Sequence, residues 1–202
     1  KFIIARRLMY WQVYLHKTGL VAENMLMRIL QRAKELATLN VELPATKTLQ
    51  YFLYNPITED NFTDETLQMF AKLDDYDVLS AIKEWTTHSD TVLSELSKMI
   101  MNRNLLKIKI QNEPFIHDDV SELKTQLAES LKIDEDLASY FVFQDTVSNQ
   151  AYNSNNPIKI LMDNEKLIDI ASASDQLNLQ ALTQPVKKHY VCFPKKMLLD
   201  HS

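Results

Sequence analysis

The chain has 202 residues, of which 46% are apolar and 24% charged, with a formal net charge of −5. This is enough for a sizeable core in one large domain or two small ones, and the acidic balance argues against a dedicated nucleic-acid surface. Cys192 is the single cysteine and Gly19 the single glycine, which excludes an intrachain disulfide framework, a Gly-rich phosphate loop, a dinucleotide fingerprint and a nucleophile elbow.

No run reaches the ~18 apolar residues of a membrane span, and no signal-peptide pattern is present. The expectation is a cytoplasmic, reducing location without a membrane partner. Lys1-Phe2-Ile3-Ile4 carries no capping residue, so the sequence reads as beginning inside a helix, as a fragment or processed product would.

The first stretch, Arg6 to Lys17, has no Gly or Pro and reads as one helix. At about 100° per residue, Ile4, Leu8, Trp11 and Leu15 share an apolar side. Arg6, Tyr10, Val13, Tyr14 and Lys17 share the other, and His16 projects about 160° from Tyr14. Cations suit phosphate oxygens, while a Tyr offers a ring and a hydroxyl to a sugar. The same stripe also suits a half-exposed helix whose rings and cationic stems cover a neighbour.

Gly19 is expected to break or bend the helical run. A second helix then covers 21–39, with Val21, Met25, Ile29, Ala33 and Leu36 inward and Arg28, Arg32, Lys34 and Glu35 largely opposite. A connection at 40–48 leads to a short apolar element, Leu49 to Tyr54, stopped by Asn55-Pro56. Thr63, then Asp74 or Asp75, then Ser89 or Asp90 cap three further helices. Leu105 to Gln111 alternates as a strand. Asp118 or Asp119 caps a helix carrying Val120, Leu123, Leu127 and Leu131, and a helical turn near 134–138 leads to a strand at Tyr140 to Gln144. Ser148 to Pro157 is a polar turn region, 158–162 and 167–170 form a hairpin, and His189 to Phe193 is the last strand.

The fold class is therefore α+β. A helical region over 1–104 is followed by an α+β module over 105–202, its helices packed on one face of a small antiparallel sheet.

His117-Asp118 and the Asp74-Asp75-Asp77 group carry metal-ligating types, but both sit where helix capping accounts for them. Cys192, between Val191 and Phe193, reads as buried packing. Arg103 and Lys107 can meet an anion, or serve as cations at a helix C-terminus.

Two motifs add a resemblance. Arg6-Arg7-Leu8-Met9-Tyr10-Trp11-Gln12-Val13-Tyr14-Leu15-His16-Lys17-Thr18-Gly19, followed by Glu23-Asn24-Met25-Leu26, resembles the signature helix of HD-superfamily dNTP triphosphohydrolases, which include SAM- and HD-domain enzymes and bacterial dGTPase-like proteins. Arg103-Asn104-Leu105-Leu106-Lys107 resembles that family's Arg-Asn-Leu-Phe-Lys junction, with Leu106 in place of Phe. The family has a His where Tyr10 stands. The resemblance covers about residues 1–110.

It implies the C-terminal portion of an HD-type nucleotide phosphohydrolase, an HD-type helical domain cut after its last metal ligand. The divalent metal would be held in the intact enzyme by a His…His-Asp…Asp series outside this chain, so no catalytic or metal residue lies here. Arg6, Tyr10 and Tyr14 would meet the nucleotide substrate, with Arg6 on phosphate and Tyr14 on sugar. His16, Lys17, Arg103 and Lys107 would match contacts to a regulatory nucleotide or a subunit interface. The implied partners are the missing N-terminal HD portion, a nucleotide and a second copy in a homo-oligomer. The alternative is a non-catalytic interaction or regulatory module.

Overall fold

The computed structural model describes residues 5, 8–14, 16–149, 158–162, 165–169 and 186–198. A π turn, Tyr10–Tyr14, precedes the longest helix, α1 (Lys17–Thr38). Then follow α2 (Lys47–Tyr54), a 3-10 turn (Glu59–Asn61), α3 (Asp64–Lys72), α4 (Asp75–Trp85) and α5 (Thr91–Met101). The second half runs β1 (Lys107–Gln111), α6 (His117–Leu131), α7 (Glu135–Ala138), β2 (Phe143–Asn149), β3 (Lys159–Leu161), β4 (Leu167–Asp169), β5 (Val186–Phe193) and a 3-10 turn, Lys195–Leu198. The architecture is α+β, as expected.

Local chemistry accounts for most helix ends. Thr46, Thr63, Asp74 and Asp90 are N-caps whose side chains accept first-turn N–H groups. Asp77 closes a capping box by accepting the Asp74 N–H at 3.0 Å. The aspartates at 74–77 are thus engaged in starting α4. The end of α1 takes a left-handed residue, Asn40 (φ 59°). Its N–H reaches Ala37 O, and the Val41 N–H reaches Leu36 O, the paired bonds of a Schellman end.

Three local expectations need correction. Gly19 does not break the helix: it lies in the first turn of α1, and the break falls at His16. A glycine inside a helix costs only about 1 kcal/mol, less than the apolar stripe of α1 and its cap supply. Asp118 and Asp119 are not caps either. Ile116 holds that position without a side-chain bond, and the two acids stand in the first turn, where they meet the positive end of the helix dipole. Finally, Tyr140, Phe141 and Val142 are buried but not in a strand. They turn back on α7, with Phe141 and Val142 N–H groups on Ala138 O, so β2 begins at Phe143.

The sheet order is β1-β5-β2, all antiparallel, with Ile108 and Phe143 both opposite Cys192. The expected hairpin forms as a separate two-stranded sheet, β3-β4. Asp163 and Asn164 of its turn, and residues 150–157 of the polar region, lie outside the described residues. The sheet is covered on both faces rather than one. Tyr190, Val191, Cys192 and Phe193 are all buried, and consecutive burial in a strand requires cover on each side. Tyr190 donates to Asn24 Oδ1 of α1 at 3.1 Å. Val191 and Phe193 face α6 across a groove shared with Val120 and Leu123.

One buried cluster runs through both halves, from Met25 and Ile29 of α1 through Trp85 and Leu96 to Phe141, Cys192 and Phe193. The polar side of α1 is built into this arrangement. Arg28 donates to Ser139 O at 3.1 Å, and the Tyr140 hydroxyl donates to Glu35.

Candidate functional site

In the π turn, backbone hydrogen bonds run i→i+5. The insertion shifts later side chains around the axis, so the face-sharing computed at about 100° per residue does not carry from Tyr10 to Lys17. Tyr10 is half-buried, while Leu8, Met9 and Val13 are exposed. Leu8, expected on a covered apolar side, is thus open to solvent. Arg6, Ile4 and Leu15 lie outside the described residues, as do the side chains of Trp11 and Tyr14.

His16 has extended backbone (φ −63°, ψ 134°) and caps α1, its Nδ1 accepting the Thr18 N–H at 3.3 Å. With Nδ1 accepting, Nε2 is left as the ring's donor. Tyr14 and His16 therefore stand on either side of a break, not on opposite faces of one helix. Lys17 opens α1 and is exposed.

Arg103 and Lys107 stand at the corner between α5 and β1. Arg103 is left-handed (φ 55°). Its N–H reaches Ile100 O at 3.1 Å, and the Asn104 N–H reaches Met99 O at 2.9 Å, again the paired bonds of a Schellman end, at the position glycine usually takes. Lys107 opens β1 opposite Phe193, with both cations exposed. Lys195, which spacing alone did not single out, donates to Asn104 Oδ1 at 3.4 Å. Only the antiparallel register of β5 brings it there.

No hydrogen bond or ion pair links His16 or Lys17 to Arg103 or Lys107 among the described residues. The corner is anchored on α1 by the Leu106 N–H on Met25 Sδ at 3.5 Å, about 12 Å along the axis from Lys17 at 1.5 Å per residue.

Among the described residues there is no group of three or more His, Cys, Asp or Glu placed to hold a metal. His117 Nδ1 lies 3.4 Å from Ser121 Oγ, and His88 Nδ1 accepts the Asp90 N–H at 3.0 Å. Cys192 is fully buried, and burial pushes its thiol pKa up to about 12, which makes it a packing group rather than a nucleophile. No helix among the described residues is long and apolar enough to cross a membrane.

No family model matches the sequence. Over 98% of its length the chain is 26% identical to the uncharacterised protein YwfO of Bacillus subtilis, and it covers 45% of that protein. A solved phosphohydrolase from Bacteroides thetaiotaomicron matches 96% of this chain at 43% identity with a TM-score of 0.86, and 49% of that chain is covered. The chain thus spans about half the length of these relatives.

Proposed function

We propose that this chain serves as the C-terminal portion of an HD-type, metal-dependent nucleotide phosphohydrolase acting on dNTP-like substrates. The observation that supports this most is the likeness to a phosphohydrolase along nearly the whole chain. The Tyr14-Leu15-His16-Lys17 and Arg103-Asn104-Leu105-Leu106-Lys107 motifs add the nucleotide chemistry.

The divalent metal of such an enzyme finds no fitting ligand set among the described residues, and its ligands belong to the N-terminal HD portion in this reading. The role of the present chain is to bind and orient. Arg6 offers a planar fork to phosphate oxygens. Tyr14 meets the sugar, and Tyr10 is assigned to the same substrate. In this reading the N-terminal portion packs on the exposed Leu8, Met9 and Val13. In this reading a nucleotide contacting both His16-Lys17 and Arg103-Lys107 takes the two pairs from different copies of a homo-oligomer.

The test is triphosphate release across a dNTP panel by the complete gene product. Arg6→Ala is expected to lower kcat/KM about a hundredfold and Tyr14→Phe about tenfold. The 202-residue chain alone is expected to release none. Full activity in both variants overturns the substrate assignment, and turnover by the isolated chain overturns the division of labour.

A further inference from the structure

A cavity of about 330 Å³ opens where α1, α6 and β2 meet, lined by Arg28, His117, Ser121, Lys124, Phe143 and Gln144 among others. Its polar lining is cationic and neutral, with no carboxylate. Two acids near it in sequence line other depressions. Asp119 lines the apolar groove on the other flank of α6. Asp145 lines a different depression and accepts the Thr146 N–H at 2.7 Å.

Arg28 is held rigidly here. One nitrogen, Nη1, donates to Ser139 O at 3.1 Å, and the guanidinium carbon lies 3.6 Å from the centroid of the Phe143 ring. Nε and Nη2 make no hydrogen bond among the described residues. Lys124 is half-buried and makes neither a hydrogen bond nor an ion pair among them. Desolvation lowers the Arg28 pKa, outweighing the charges around it. In a chain of net charge −5, two half-buried cations share one cavity whose own lining carries no carboxylate, with Asp145 acting on Arg28 from outside that lining. Such an arrangement is costly when empty of counter-charge and favourable once an anion enters.

The donor set selects the anion. A fixed guanidinium fork, an ammonium, an imidazole, a hydroxyl and an amide converge from three elements. That exceeds what one carboxylate accepts and suits tetrahedral phosphoryl groups with several oxygens each. The volume leaves room for more than one such group. We propose that this cavity binds a polyphosphate chain, free or carried on a nucleotide, with Arg28 and Lys124 on the phosphoryl oxygens and His117 and Ser121 at the rim. It uses none of the residues assigned to nucleotide contacts above, so it stands or falls apart from that reading.

Calorimetric titration of the protein with inorganic phosphate, pyrophosphate, triphosphate and dATP tests it, with sulfate at matched ionic strength as control. Triphosphate is expected to bind more tightly than phosphate or sulfate. Lys124→Gln and His117→Gln, both near the surface, are each expected to weaken triphosphate about tenfold without moving the unfolding midpoint. Arg28→Lys keeps the charge, loses the fork and is expected to weaken it further. Equal affinity for dATP and triphosphate identifies the phosphate chain as the recognised part. No triphosphate binding up to about 10 mM overturns the proposal. So does unchanged affinity in the Lys124→Gln/His117→Gln double variant, displacement by sulfate at equal concentration, or binding of dATP alone.

Discussion

Arg32 and Asp90 face each other through two parallel hydrogen bonds, Nε to Oδ1 at 3.2 Å and Nη2 to Oδ2 at 2.6 Å. Their side chains are only 14% and 15% exposed. Asp90 is also the N-cap of α5, accepting the Leu93 N–H at 2.8 Å. Arg32 reaches Glu35 at 3.1 Å, and Glu35 accepts the Tyr140 hydroxyl. One chain of polar contacts thus ties α1 to α5 and to the turn before β2. Removing one member of a pair this shielded leaves the other without its partner, and Asp90→Ala also loses the cap. It is expected to destabilise the fold by about 3 kcal/mol, measured by urea unfolding. A change within about 0.5 kcal/mol would show that the pair is screened like a surface one.

The same pair sets a pH dependence. Desolvation would raise the Asp90 pKa, but hydrogen bonds from Arg32 and the Leu93 N–H, with the Arg32 charge, outweigh it and hold the carboxyl below its ordinary 3.8. A depressed folded pKa contributes stability above the unfolded value and loses it as pH falls through the folded one. The stability gap between the parent and Asp90→Asn is therefore expected to be constant near neutral pH and to narrow below pH 3.8. Urea midpoints taken at intervals down to that range check this, and a gap that widens on acidification refutes it.

Cys192 offers a second window at the alkaline end. Burial raises its thiol pKa from 9.0 to about 12. Its contribution is whole below the unfolded value and lost as pH rises toward the folded one. A thiol reagent at pH 8 is expected to label the unfolded chain fully and the native one only through unfolding. Rapid native labelling would show that the site opens locally.

Arg103 separates backbone strain from ligand contact. A side chain in left-handed geometry costs about 1 kcal/mol, partly offset by the entropy a glycine loses. Arg103→Gly is expected to raise apo stability by about 0.5 kcal/mol. If Arg103 holds a nucleotide, the same variant lowers the added stability that a dNTP confers. Thermal unfolding with and without dNTP reads both effects, and an unchanged nucleotide shift removes Arg103 from the proposed contact set.

Ile29 is fully buried at the centre of α1. Ile29→Ala is expected to cost about 3 kcal/mol, from lost transfer energy plus a residual cavity. A loss below about 1 kcal/mol would mean that the junction between the two halves relaxes to fill it.

Much of this molecule was legible in the residues because the signals are local. Thr63 caps α3, Asp74 and Asp90 were among the named caps, and the stripe from Val21 to Leu36 is the buried side of α1, since capping and helical periodicity depend on neighbours in sequence. The change from helix to strand at Lys107 follows from alternation. The resemblance to a phosphohydrolase family rested on short contiguous motifs, which sequence preserves directly. What tertiary structure decided were relationships between distant residues. Arg28 and Arg32 read only as lying opposite the apolar stripe, and they meet Ser139, Phe143 and Asp90 because α7, β2 and α5 fold back over α1. Consecutive burial of Tyr190 to Phe193 follows from placing β5 between two partners and between two layers, which no pattern within the strand dictates. The break at His16 and the π turn before it came from a choice of hydrogen bonds that leaves composition unchanged. Arg28, His117 and Lys124 line one cavity only because α1 and α6, far apart in sequence, converge there.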